Sequence, residues 1–216
     1  MTSLPKPYYE RDGITIYCGD CREILPHLKA DVVVTDPPYG VSVEYGGSYG
    51  DTFSEWISLV DDVIPKMRTS ASLTMLTTSK LEGERHIWIN HPPDWRVCWY
   101  KGALSTRCHV GFKDWEPVFV WGSMRRPMHD HFHAAPEAFN TFGHPCPKPI
   151  AWAHRLITMG TKPNDTILDP FMGSGTTLVA AKLEGRRAIG IELEEKYCEI
   201  AARRLSQGVL PFGDQP

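Results

Sequence analysis

Nowhere in the 216 residues does an apolar run approach the roughly 20 residues that cross a bilayer. The opening Met1-Thr-Ser-Leu-Pro-Lys-Pro7 has no apolar stretch of the kind that leads a secreted chain, so an intracellular, cytoplasmic setting is expected. Cysteine is sparse. The six residues at 18, 21, 98, 108, 146 and 198 are scattered, which suits reduced thiols and not a disulfide framework. Charge of neither sign dominates: the net value is −3, which argues against a protein that coats nucleic acid indiscriminately. With 42% hydrophobic residues, the chain is long enough for one sizeable core, and a single domain over 1–216 is expected.

Three motifs are incomplete in informative ways. Cys18-x-x-Cys21 lacks both a second ligand pair for zinc and the long helix that follows a redox pair, so no metal is expected. The stretch Gly173-Ser-Gly-Thr176 has threonine where a phosphate-binding P-loop needs lysine. It also lacks the third glycine of a dinucleotide fingerprint. A ligand with an adenosine-like ribose but no pyrophosphate fits what is left.

What is present is unevenly spread. Between Arg85 and Arg155 there are nine Lys/Arg against five Asp/Glu, and eight of the nine histidines. A phosphate-facing surface on an otherwise acidic body would produce that segregation. Within it lie Arg125-Arg126 and the run His129-Asp-His131-Phe-His133. Three histidines at period two would share one face of a strand and could hold metal, but a polar loop that contacts phosphate is the favoured reading.

Along the chain, residues 1–12 are Pro-rich and polar and predict a loosely held arm. Ile14–Tyr17 predicts a strand and Arg22–Lys29 a short helix. Asp31-Val-Val-Val-Thr-Asp36 is a continuous β-branched run, which predicts a strand buried on both faces. The prolines of Asp36-Pro37-Pro38-Tyr39 stop it, because proline cannot donate a ladder hydrogen bond. A carboxylate and an aromatic ring are thereby held on a stiff turn at a strand's carboxyl end, where open α/β sheets bind ligands. Gly40–Thr52, rich in Gly, Ser and Tyr, has the composition of a lid loop. An amphipathic helix follows over Glu55–Met67, capped by Thr52 or Ser54, and then a strand over Ser72–Thr78. Arg96–Lys101 and Pro117–Trp121 predict a hairpin. The last third reads strand (Asp165–Asp169), glycine turn, helix, strand (Ala188–Ile191), acid (Glu192) and helix (Glu194–Leu205), which is a nucleotide-type βαβ unit.

Asp36-Pro-Pro-Tyr39, Asp169-Pro-Phe-Met-Gly-Ser-Gly-Thr-Thr177 and Gly190-Ile-Glu-Leu193, in that order, closely resemble the amino-group DNA methyltransferases of the circularly permuted beta group. These enzymes use S-adenosyl-L-methionine to methylate adenine N6 or cytosine N4. The resemblance covers residues 14–80 and 144–205. It implies an α/β, Rossmann-like methyltransferase fold: a mostly parallel seven-stranded sheet, helices on both faces, and an antiparallel hairpin at one edge. It further implies that Asp36, Pro37, Pro38 and Tyr39 are catalytic. Asp169, Pro170, Phe171, Gly173, Ser174, Gly175, Thr176 and Thr177 would line the cofactor pocket with Asp36. Glu192 would hold the ribose, Leu193 beside it would also contact the cofactor, and Asp20 and Cys21 would meet the adenine ring. His144-Pro-Cys-Pro-Lys148-Pro149 resembles the family's HPxxKP segment, which would approach the methionine end of the cofactor and bind it. Its interior Cys146-Pro147 departs from the usual pattern, so the inference rests on Lys148 and Pro149.

An exocyclic base amine is a poor nucleophile, since its lone pair is delocalised into the ring. Hydrogen bonds to a carboxylate and to the Pro37 carbonyl would draw it toward tetrahedral geometry, a catalysis of positioning with no metal. The base must leave its stack to reach the turn, and Tyr39 offers a ring to receive it. By family analogy, aspartate at the first position favours adenine N6 over cytosine N4. An RNA amino-methyltransferase and a non-catalytic nucleic-acid-binding subunit are the alternatives. Only residues 122–143 remain for target recognition, a short insertion. Short sites, relaxed specificity, or a homodimer that supplies the missing surface are each compatible with it. Arg125, Arg126, His129, His131 and His133 are the candidate DNA contacts.

Overall fold

The computed structural model describes residues 4–41, 51–78, 81–102, 106–108, 111–124, 129–138 and 141–207. Strand β1 (Tyr9–Arg11) pairs antiparallel with β2 (Ile14–Cys18). The expected loose arm is therefore a hairpin edge from Tyr9 onward. The reason is local: Asp12 and Gly13 both take positive φ, 53° and 76°, the two-residue turn that Asp-Gly favours. Helix α1 (Cys21–Ile24) continues into a 3-10 turn at Leu25–His27, so the short helix expected from Arg22 closes around Pro26, as that proline predicts.

Strand β3 (Val32–Thr35) is buried at every position, as its β-branched run predicts. Helix α2 (Phe53–Ser70) starts at a capping box, in which Glu55 N–H donates to Thr52 Oγ1 and Thr52 N–H to Glu55 Oε2. Then follow β4 (Leu73–Thr77), α3 (Leu81–Asn90), β5 (Trp95–Tyr100), the small antiparallel pair β6 (Thr106–Cys108) and β7 (Gly111–Lys113), and β8 (Trp115–Gly122). The chain continues through β9 (His131–His133), α4 (Ile150–Gly160), β10 (Thr166–Asp169), α5 (Thr176–Leu183), β11 (Arg187–Glu192) and α6 (Glu195–Ser206).

Among the described residues the main sheet has nine strands, in the order β1-β2-β11-β10-β3-β4-β8-β5-β9. The seven strands expected are the inner ones, and β1 and β9 extend the two edges. The pairings from β2 through β4 are parallel, while β8 is antiparallel to both β4 and β5. The predicted hairpin, β5 with β8, thus lies inside the sheet, because the His-rich run 129–133 supplies β9 as an outer partner to β5.

Period-two alternation splits the core. Val32 and Val34 face α4, α5 and α6 with Ile14, Ile16, Trp152 and Leu156. Val33 faces α2 with Trp56, Val60, Leu168 and Ile191. Among the described residues no helix is long and apolar enough to cross a membrane.

Chain direction across the sheet reverses between β10 and β3. From β10 the chain proceeds to β11 on one side, and from β3 to β4 on the other. Such a switch point opens a crevice at the strands' carboxyl ends. Asp36 and Asp169 follow or close these two strands.

Candidate functional site

Both motif turns leave the sheet side by side at that switch point. Leu168 pairs with Val33, and just beyond that pair Thr35 Oγ1 donates to Asp169 Oδ1 at 2.7 Å. Asp169 Oδ1 also accepts from Phe171 N–H at 3.1 Å, so this carboxylate shapes the glycine turn. Burial pushes the Asp169 carboxyl up to about 6, against the hydrogen bonds that hold it.

A cavity of about 430 Å³ runs from this point, lined on one side by Asp36–Tyr39 and on the other by Phe171–Ser174 and Glu192–Glu194. Asp20, Cys21, Lys148, Asp169, Pro170, Thr176 and Thr177 also line it. Two residues expected there do not. Pro149 caps α4 and is buried, and Gly175 caps α5 with its Cα against Ala201. Both act by shaping the segments that do reach the cavity.

The glycine turn is fixed by contacts that leave no room for a side chain. Gly173 has φ 50°, and a Cβ there would lie 2.8 Å from His144 Nε2. The His144 ring in turn packs on Tyr197 at 4.7 Å. Burial, then the Lys148 charge, lowers its imidazole to about 4, which leaves it neutral. From α6, Arg204 donates to the Ser174 carbonyl at 2.6 Å.

Glu192 occupies the end of β11, with Oε2 accepting from Gly173 N–H and Oε1 from Glu194 N–H. Burial pushes its carboxyl up to about 7. Asp20 caps α1 through Arg22 N–H and pairs with the Arg22 guanidinium at 2.5 Å. Burial drives the neighbouring Cys21 thiol up to about 12, so it stays protonated, while Cys18 Sγ faces the Leu193 carbonyl at 4.0 Å. These contacts are those of packed thiols, not of a redox pair.

At the other end, the Asp36 carboxylate receives two donors. Tyr39 Oη donates to Oδ1 at 2.5 Å, and the Lys148 ammonium sits 2.5 Å from Oδ2. Burial pushes the Asp36 carboxyl up, and Lys148 and Tyr39 pull it only part of the way back. Burial would lower Lys148, but the Asp36 and Glu116 carboxylates outweigh it and hold the ammonium above the ordinary lysine range. The same ammonium lies 4.8 Å from the Tyr39 ring centre and 5.8 Å from that of Trp99.

Sequence reasoning passed over several lining residues: Glu55, Ser58 and Leu59 from α2, and Trp152 from α4. They sit on helices whose approach to the crevice is a tertiary event with no local signal. Asp51 was missed too, although it is buried, has φ 47°, and accepts from Gly40 and Val41 N–H. It ties the neck of the segment between Val41 and Asp51, whose expected lid character lies outside the described residues.

Of the candidate DNA contacts, His129, His131 and His133 are exposed, and Arg125 and Arg126 lie outside the described residues. His131 and His133 share a face of β9, opposite Cys98 and Tyr100 of β5. On that face the exposed Tyr100 ring packs 5.6 Å from His133, and the Arg96 guanidinium lies 5.7 Å from the Trp115 ring.

Comparison with known proteins agrees with this geometry. The family described as DNA methylase, N6_N4_Mtase, matches residues 111–203. The type II methyltransferase M2.DpnII of Streptococcus pneumoniae is 55% identical over 256 residues, covering 94% of this chain and 93% of that protein. That alignment is longer than this chain's 216 residues, so the relative carries residues with no counterpart here. M2.LlaDCHI of Lactococcus lactis subsp. cremoris is 30% identical over 258 residues, covering 95% and 94%. Among solved structures, the M1.HpyAVI–SAM complex aligns with a TM-score of 0.65 at 25% identity, covering 89% of this chain and 99% of that one. The cytosine-N4-specific PvuII DNA methyltransferase shares the fold, with a TM-score of 0.74 at 18% identity, covering 95% and 90%.

Proposed function

We propose that this chain, which belongs to the N6/N4 amino-group DNA methyltransferase family, transfers a methyl group from S-adenosyl-L-methionine to the N6 amine of adenine in DNA. The observation that carries this reading is the placement of Asp36 in the same cavity as the Phe171–Ser174 turn and Glu192. A carboxylate that already takes two donors at 2.5 Å is built to accept from an amine.

The residues present fit the cofactor. Its ribose hydroxyls would donate to Glu192, its adenine ring would lie by Asp20 and Cys21, and Phe171 would flank it. Gly173 and Gly175 keep the backbone free of Cβ atoms where the turn must stay thin. When bound, the cofactor supplies an electrophilic sulfonium methyl. The chain does the rest. Asp36 and the Pro37 carbonyl orient the amine so that its lone pair faces the cofactor half of the cavity, and Tyr39 stacks on the flipped base. No residue forms a covalent intermediate.

The exposed face of β5 and β9 is the surface we assign to DNA, with His129, His131 and His133 joined by Arg96, Tyr100 and Trp115. Residues 122–143 form its short recognition segment on the single domain. Trp115 opens β8 at the end of the sheet where Asp36 lies, since Thr77 of β4 pairs with Val118 three residues on. Rings and cations there offer stacking and phosphate contact next to the cavity.

The test is methylation of matched DNA and RNA duplexes and single strands with labelled cofactor, followed by mass spectrometry of the nucleosides. N6-methyladenine in DNA is expected. N4-methylcytosine, or transfer to RNA alone, would overturn the proposal.

A further inference from the structure

We propose that Asp61, His86 and His91 form a binding site for one transition-metal ion of the zinc type, on the outer side of α2 and away from the methyl-transfer cavity. No residue of this trio lines that cavity, and no step of methyl transfer uses it.

The three side chains come from separate places: Asp61 from α2, His86 from α3, and His91 from the segment just after α3. They converge on one point. His86 Nε2 and His91 Nε2 both lie 2.7 Å from the same oxygen, Asp61 Oδ1, and all three donor atoms fall within 4.8 Å of one another. Both imidazoles are largely buried, with side chains 15% and 13% exposed, whereas Asp61 is 43% exposed. Two fixed nitrogens and one movable carboxylate therefore leave the fourth direction open to solvent.

Two imidazoles and a carboxylate are borderline donors. They suit Zn(II), Co(II) or Ni(II), whereas Ca(II) and Mg(II) require oxygen shells. Ligands around a tetrahedral ion at 2.0–2.1 Å stand about 3.3 Å apart. The contacts of 2.7 Å would open by roughly half an ångström, and the exposed Asp61 can supply that by rotation. Outer contacts already hold the rings. The Asn90 amide reaches His86 Nδ1 at 3.1 Å, the His86 ring packs edge-on against Trp56, and Trp121 Nε1 donates to the His91 carbonyl. In the metal-free chain Asn90 donates to Nδ1, which leaves the ring proton on Nε2 for Asp61. On binding, that proton shifts to Nδ1 and the amide turns to accept it. The ion would then staple α3 and the start of β5 to α2.

The experiment is titration of the chelator-treated full chain with Zn(II) by calorimetry and with Co(II) by visible absorption. One ion per chain and a tetrahedral Co(II) spectrum are expected. His86→Gln and His91→Gln should each weaken binding at least ten-fold and remove the rise in Tm that Zn(II) gives the unaltered chain. Asp61→Cys should create a thiolate-to-cobalt charge-transfer band absent from the unaltered chain, a positive signature that does not depend on loss of a fold. No saturable uptake by the unaltered chain, or equal uptake in both histidine variants, would overturn the site.

Discussion

The Lys148 ammonium lies 2.5 Å from Asp36 Oδ2, on the carboxylate proposed to receive the target amine. A cation donor thus stands at the position proposed for the substrate donor, and on that proposal Lys148 gives way when the base enters. Until then it keeps a buried carboxylate ionised. Lys148→Ala removes that partner and leaves only the Tyr39 hydrogen bond against burial, so the Asp36 carboxyl rises further. Since only ionised Asp36 accepts from the amine, the acid limb of the kcat/KM profile should move to higher pH. A pH profile unchanged from that of the unaltered enzyme would show that Lys148 does not govern Asp36.

Asp36→Ala removes the acceptor itself. Loss of one preorganised hydrogen-bonding group at a reacting centre costs on the order of 10²–10³ in kcat. Methyl transfer should fall by at least that factor, while cofactor binding, held at the far end by Glu192 and the glycine turn, changes by less than about ten-fold. Calorimetry of cofactor binding beside the transfer assay separates the two. Activity within ten-fold of the unaltered enzyme would rule out the mechanism.

Much of this site was legible because its residues lie in short segments with strong local physics. The Val32–Val34 run, the prolines that end it, the glycines after Leu168 and the acid after Ile191 each declare a strand end or a turn. What stayed hidden depends on distant packing. Arg204 bonds the Ser174 carbonyl across 30 residues, and Glu55 lines the cavity while also completing a helix cap. Strand β9 was hidden for another reason. Three residues, His131–His133, pair only with β5, and nothing in a His-rich, Pro-rich stretch marks a strand that short. The Asp61–His86–His91 trio has no spacing signal, because its members come from α2, from α3 and from the segment after α3.

The glycine turn makes a stability prediction. Gly175 has φ 81°, and a Cβ would stand 2.8 Å from that of Ala201. Gly175→Ala combines left-handed strain with a steric clash, at about 1–3 kcal/mol. For a chain of this size that corresponds to a fall in Tm of roughly 2–10 °C. Gly185→Ala is the control: its φ is 64°, but nothing lies within 4 Å of a Cβ there, so only the strain applies and the loss should be smaller. Equal Tm values for the two variants would refute the clash.

The β5–β9 face predicts a change in DNA handling without a change in chemistry. Base stacking on an aromatic ring is worth about 1–3 kcal/mol, so Tyr100→Ala should raise KM for DNA on the order of ten-fold with kcat nearly kept. Arg96→Ala should reduce the dependence of log affinity on log salt by about one unit, as expected for one lost phosphate contact. Filter binding across a salt series measures both. A second copy of the chain on this face would instead appear as a shift in oligomeric state when Tyr100 is altered.

Glu192 supplies a pH test of the cofactor half. Burial raises its carboxyl from 4.5 to about 7, and that of Asp169 from 3.8 to about 6. A folded-state value above the unfolded one means the cofactor-free fold binds these protons more tightly. Their stabilising contribution is full below about pH 4 and is lost as pH rises through 6 to 7. Cofactor binding has the opposite sign. Ribose hydroxyls donate to an ionised Glu192, so binding favours the deprotonated form and affinity should climb between pH 5.5 and 7.5, by at most about ten-fold per unit. It should then level off. Glu192→Gln cannot ionise, and it should bind more weakly at pH 8 with a flatter profile across the same range. Calorimetry at four pH values on both chains decides it: parallel profiles in the two would place the titrating group elsewhere than Glu192.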